Sequence, residues 1–105
     1  MIVKADNATR KSFLGTEFDV LAVGKQCMLT RMQFLKGRDI PPHSHPNEQI
    51  GFVLSGRFRF LFGRFDEVLG PGDSYCIPAG VEHHIEMIED GEVVEVFSPP
   101  RQDYL

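Results

Sequence analysis

What this sequence lacks narrows its chemistry before any motif is read. It has no run of lysine or arginine: 11 basic residues stand against 15 acidic ones, for a net charge of −4 and a pI near 5.5. A phosphate-binding face needs clustered cations, so no nucleic-acid partner is expected. No apolar run approaches the roughly 20 residues that a membrane-spanning helix needs. The N-terminal "MIVKADNATR" carries no apolar core of a secretory signal. A cytoplasmic protein with no membrane partner is expected. Disulfide pairing has little to work with. Cys27 and Cys76 form no CxxC pair and lie in apolar, strand-like surroundings, so buried free thiols are expected. A chain of 105 residues suits a single domain, 1–105, with a core that needs no disulfide staple.

Helical periodicity is nearly absent as well. Seven prolines and ten glycines punctuate short runs of Val, Ile, Leu and Phe, the pattern of an all-β sandwich or barrel. Candidate strands are "EFDVLAVG", "CMLTRMQFL", "QIGFVLSG", "RFRFLFG", "FDEVLG", "SYCIP", "HHIEMIE" and "EVVEVFS". Gly-, Pro- and Asp-containing turns separate them, and Asp90-Gly91 predicts a two-residue hairpin. No repeat, linker or low-complexity segment interrupts the series. In "RFRFLF", Phe58, Phe60 and Phe62 alternate with Arg57 and Arg59, so one face is aromatic core. The arginines are either solvated or line a polar cavity, and parity alone leaves both open.

What the chain does have is histidine beside its turns. His43 and His45 stand at i and i+2, so on an extended chain both side chains point the same way. Imidazole pairs of this kind suit Zn, Cu, Fe and Ni, with one or two further ligands to find. Continuing by twos from His45 reaches Gln49 and turns the neighbouring Glu48 away, provided the backbone stays extended past Pro46. A third imidazole comes from "PAGVEHH". There His83 shares a face with Ile85 and Met87, and His84 shares the other with Glu86 and Ile88. Periodicity does not choose between the two. Three imidazoles and one side-chain oxygen make a site for one divalent metal with open positions.

These residues carry a resemblance. "GRDIPPHSHPNEQIGFVLSG" resembles the first motif of the cupin superfamily, G-x5-H-x-H-x(3,4)-E-x6-G, with Gly37, His43, His45, Gln49 and Gly56 at the motif positions. "GDSYCIPAGVEHHIEM" resembles the second, G-x5-P-x-G-x2-H-x3-N, with Gly72, Pro78, Gly80 and His83 in place. Together they span residues 37 to 87, about half of the chain. The resemblance implies a double-stranded β-helix, or jelly-roll, barrel. It also implies His83 rather than His84 as the third histidine. Two positions depart from the pattern: Gln49 stands for the glutamate ligand and Met87 for the asparagine. A neutral amide leaves the site one positive charge higher, which weakens metal affinity and strengthens polarisation of a bound oxygen.

The "HSHPNEQ" form resembles a branch of small cupins with a 3-His/1-Gln centre. Members of that branch open unsaturated uronates from pectin breakdown to linear keto acids, or isomerise a prephenate-derived compound. In the uronate-opening members a pattern D-x-F-x3-R supplies an acid, an aromatic and an arginine. Here "EVFSPPR" offers Glu95, Phe97 and Arg101, with Glu for Asp. Glu95 and Phe97 share a strand face, and Pro99-Pro100 ends the strand. Arg101 can then fold over the barrel mouth and hold a substrate carboxylate through its fork. The resemblance thus implies an isomerase or ring-opening enzyme in which Glu95 moves a proton and Arg101 and Phe97 bind a small carboxylated substrate. Ni, Zn, Mn, Fe, Co and Cu all suit the centre. An oxygen-consuming dioxygenase and a binding protein without turnover are the alternatives. Cupins also commonly pair as homodimers, with "FDVLAV" and "RFRFLF" as candidate contact strands here.

Overall fold

The computed structural model describes all 105 residues. In chain order the strands are β1 (Thr9–Phe13), β2 (Thr16–Val23), β3 (Met28–Phe34), β4 (Asp39–His43), β5 (Glu48–Ser55), β6 (Phe58–Phe62), β7 (Phe65–Leu69), β8 (Ser74–Ile77), β9 (His83–Met87) and β10 (Gly91–Ser98). Single 3-10 turns, Ala5–Asn7 and Gln102–Tyr104, flank them. Six strands form one antiparallel sheet in the order β1-β2-β3-β10-β5-β8, and four form a second in the order β4-β9-β6-β7. The all-β fold expected from the punctuation forms, as the jelly roll that the resemblance implies. No helix is long and apolar enough to cross a membrane.

Period-two alternation builds the core between the sheets. Along β3, Met28, Thr30, Met32 and Phe34 are buried and the residues between them face outward. On β6, Phe58 and Phe60 are sealed, and Phe58 meets Phe34 edge-on at 4.9 Å. The question left open for the arginines is settled by partners on the outer face. Arg59 holds Asp66 through Nε and Nη2, at 2.7 and 2.8 Å, and Glu86 at 3.2 Å. Arg57 lies exposed, 3.8 Å from Glu89.

Two expectations are overturned, and one strand carries an unforeseen proline pair. Cys27 and Cys76 are free, as expected, but both are exposed, because each falls on the solvent side of its segment. Asp90-Gly91 makes no hairpin: β9 belongs to one sheet and β10 to the other, so the dipeptide lies on a crossover. Gly91 is needed there for a different reason. A Cβ would collide with the Ser55 carbonyl and with Gly56, so the two backbones can pass only without side chains. Asp90 Oδ1 accepts from the Lys36 N–H at 2.7 Å, tying the crossover to the turn after β3. Finally, Pro41-Pro42 lies inside a strand. β4 tolerates it because it is the edge of its sheet and its register with β9 breaks between Ile40 and His43.

Gly91→Ala is therefore expected to destabilise the fold by about 2 kcal/mol or more. Gly70→Ala should stay within about 0.5 kcal/mol, since nothing lies within 4 Å of a Cβ there and φ is not positive. Urea denaturation of the two variants checks the contrast, and equal costs would refute the crossover account.

Candidate metal centre and acidic pocket

The two sheets bring their histidine-bearing ends to the same end of the sandwich. His43 closes β4 and pairs in register with His83, the first residue of β9. His45 lies in the connection to β5, and Gln49 is the second residue of that strand. Parity chooses as expected: Gln49 is only 3% exposed, whereas Glu48 faces solvent. His83 points inward, while His84 points away and meets Asp39 at 2.9 Å on the outer face.

The hydrogen bonds of the three rings fix what they can bind. Nδ1 of His43 meets the Pro41 carbonyl at 3.0 Å, that of His45 the Asn47 carbonyl at 3.0 Å, and that of His83 the Val81 carbonyl at 2.9 Å. A carbonyl only accepts, so each Nδ1 carries the proton and each Nε2 presents a lone pair. Burial lowers all three pKa values, that of His83 to about 4, which keeps the rings neutral. The ligand nitrogens lie within 4.8 Å of one another. His83 Nε2 is the one buried polar side-chain atom with no partner. Gln49 Oε1 lies 3.0 Å from His45 Nε2, bringing two lone pairs together. A shared cation resolves both conflicts, and protonated Nδ1 atoms held by carbonyls are the usual orientation of metal-binding imidazoles. The donor set fits a divalent transition metal.

Behind Gln49 lies a sealed carboxylate. Glu95, 2% exposed, faces inward from β10. One oxygen, Oε2, accepts from both the Gln49 amide and the Tyr75 hydroxyl. Burial pushes the Glu95 carboxyl up, and the Tyr75 and Gln49 hydrogen bonds pull it back. The protein donors that meet this carboxylate both fall on Oε2, and Oε1 takes none. Tyr75 escaped the sequence reading. Its position on a short strand marks it as inward-facing core, and nothing local shows which residue its hydroxyl meets. Asn47 was missed likewise. Its Nδ2 donates to the Pro99 carbonyl at 2.6 Å, tying the histidine loop to the end of β10.

Arg101 does fold back over this end of the sandwich, but its fork is filled. Nε and Nη2 hold Asp103 at 3.1 and 2.6 Å, and Nη1 donates to the Tyr104 hydroxyl at 2.9 Å. The guanidinium lies 4.7 Å from the Phe13 ring centroid, 5.2 Å from Phe97 and 4.0 Å from Tyr104. Phe97 is itself sealed and stands edge-on to His45 at 5.7 Å. It backs the site rather than opening onto it.

The family model for the cupin domain matches residues 30–98. Among curated proteins, the chain is 29% identical over 93 residues to the pectin degradation protein KdgF of Dickeya dadantii, covering 87% of this chain and 84% of that one. It is 34% identical over 59 residues to an acireductone dioxygenase of Bacillus cytotoxicus, covering 51% of this chain and 35% of the enzyme. The structure of KdgF from a Halomonas species superposes with a TM-score of 0.89 at 28% identity, over the full length of both chains.

The Gln49 amide must donate to Glu95, and a glutamate in its place would set two carboxylates together. Gln49→Glu is expected to destabilise chelator-treated protein by about 2 kcal/mol. The exchange Gln49→Glu with Glu95→Gln, which restores one donor and one acceptor, should recover most of that loss. Denaturation midpoints of the parent protein and the two variants decide the matter; an exchange no better than the single change would refute the pairing.

Proposed function

The chain belongs to the cupin family, and from that premise we propose that it is a metal-dependent isomerase that opens and ketonises a small carboxylated, sugar-derived or keto-acid substrate. The observation that carries this reading is the buried Glu95 carboxylate, held through Oε2 by Tyr75 and by Gln49, the side chain that also meets His45 among three convergent imidazoles. A divalent transition metal held by His43, His45, His83 and Gln49 supplies Lewis-acid polarisation of a substrate oxygen. Glu95 takes the proton of the hemiacetal hydroxyl as the ring C–O bond breaks to a carbonyl and an enolate, and returns it to the enol carbon to give the ketone. Proton count and oxidation state are unchanged, so no oxidant is consumed. Arg101 receives the substrate carboxylate in exchange for Asp103, whose side chain is 55% exposed. Phe97 holds His45 and Arg101 toward the substrate. Similarity to a pectin degradation protein makes a 4,5-unsaturated galacturonate the first compound to supply.

Loss of its ring-enol absorbance should be far faster than in buffer with protein carrying about one metal per chain, and Glu95→Gln should lower kcat by about 100-fold or more. Asp103→Asn, which frees the fork, should lower KM by up to about fivefold. A rate no faster than buffer, or one indifferent to Glu95→Gln, overturns the reading. A rise in melting temperature without turnover would instead mark a binding protein. The stretch shared with the acireductone dioxygenase favours a second reading, oxygen-dependent cleavage. Oxygen uptake under Fe(II) loading with a diketone or flavonol separates that chemistry from the isomerisation.

We also propose a homodimer. Its contact is the outer face of β5 and its neighbours rather than β6, whose phenylalanines are spent on the core. Cys76, Ile50, Val96 and Leu29 form one cross-strand row without a charge, and Ile50 and Phe52 are each 47% exposed. Two copies of net charge −4 can meet there without opposing like charges. Light scattering should give the mass of two 11.9 kDa chains, reduced to one by Phe52→Glu. A monomeric parent protein refutes it. The two exposed, unpaired thiols suit a reducing cytoplasm.

A further inference from the structure

We infer that Tyr75 is a positioning residue that aims the Glu95 carboxylate, and that Gly51 is the vacancy through which it does so; this rests on the reading that Glu95 moves the proton. In the six-stranded sheet, Tyr75 of β8, Gly51 of β5 and Glu95 of β10 are register partners. They form a single inward-facing row. Tyr75 and Glu95 are two strands apart, roughly 10 Å by the usual strand spacing. A phenol spans that gap only by lying across the strand between them. Any side chain on the middle strand would occupy the same space: a Cβ at residue 51 would collide with Cζ and the hydroxyl oxygen of Tyr75. Glycine in mid-strand is destabilising relative to alanine, so its presence here calls for a reason, and the crossing ring supplies one.

The ring is held from its other side by Phe60, at 4.3 Å between centroids. Its hydroxyl therefore arrives at a fixed point, and it donates to the same Glu95 oxygen that accepts from Gln49. Two donors on Oε2 remove the rotational freedom of the carboxylate and leave Oε1 as the oxygen able to exchange a proton with a substrate. The Tyr75 hydroxyl meets Glu95 and also reaches the Gln49 side chain, so its effect on the site runs through these two neighbours.

The test measures kcat, KM and metal content for Tyr75→Phe and Gly51→Ala, alone and with Glu95→Gln. Tyr75→Phe is expected to lower kcat by tenfold or more with KM and metal content unchanged, and Gly51→Ala to do the same by displacing the ring. In the Glu95→Gln background, Tyr75→Phe should change the residual rate less than twofold, because the group it serves is gone. Full kcat in Tyr75→Phe alongside a crippled Glu95→Gln overturns the role of Tyr75 and leaves the isomerase reading standing. A fully active Glu95→Gln overturns the isomerase reading itself. Melting temperature gives an arm independent of turnover. Tyr75→Phe should lower Tm by about 4 °C in the parent protein and raise it in Glu95→Leu, where the hydroxyl has lost its acceptor. Equal Tm changes in both backgrounds refute the pairing.

Discussion

A carboxylate sealed between two sheets is the constraint to which the neighbouring sequence answers. Glu95 is 2% exposed, and an ionised group removed from water to that degree survives only with donors in place. Hydrogen bonds to a charged group contribute about 1.5–3 kcal/mol each, so two of them on one oxygen offset much of the desolvation. Each donor then imposes a demand of its own. Tyr75 must cross the middle strand, which empties position 51 of any side chain. Gln49 must keep its amide nitrogen toward Glu95, which turns Oε1 toward His45. Glutamate, the usual residue at that motif position, has no N–H to offer. The departure from the family pattern at residue 49 and the glycine at residue 51 thus have one cause, located on a strand forty residues away.

The same arrangement sets the charge of the centre. Three neutral imidazoles and an amide leave a divalent cation uncompensated by its own ligands. A compensating carboxylate stands behind Gln49, where it would neutralise part of the charge of a cation held by the imidazoles. Arg101 and Asp103 add a pair that sums to zero. A glutamate ligand would supply that negative charge at the metal itself and blunt the polarisation.

The sequence displays these facts unevenly, for a physical reason. Alternation records which face a residue occupies, so the inward phenylalanines of β6, the pairing of His43 with His45, and the choice of Gln49 over Glu48 could all be read locally. The family spacing supplied His83 over His84, which periodicity had left open. Register between strands is set by long-range packing and leaves no local trace. The row through Tyr75, Gly51 and Glu95 is a matter of register, and so was invisible. Asp90-Gly91 failed in the opposite sense. Its composition is that of a hairpin, yet the glycine serves a backbone crossing between sheets. The cysteines misled because apolar neighbours in sequence do not distinguish the inner face of a strand from the outer one.

Which part of the arginine pair can move follows from what holds each side. The Arg101 guanidinium is 4% exposed and lies within about cation–π reach of three rings, Phe13, Phe97 and Tyr104. Its backbone N–H meets Met28 Sδ at 3.1 Å, and Tyr104 packs on Phe18 at 4.3 Å, so the post is anchored in the core. Asp103 has no such anchor. Its side chain is more than half in solvent, and the Arg101 fork alone, which also holds its carboxyl below the usual range, engages its oxygens. An ion pair in which one partner is fixed and the other exposed exchanges the exposed one, because water already supplies what that carboxylate loses. The fold therefore presents a rigid cation with a removable counter-ion, which is the arrangement an anionic ligand requires if it is to enter without unfolding the end of the chain.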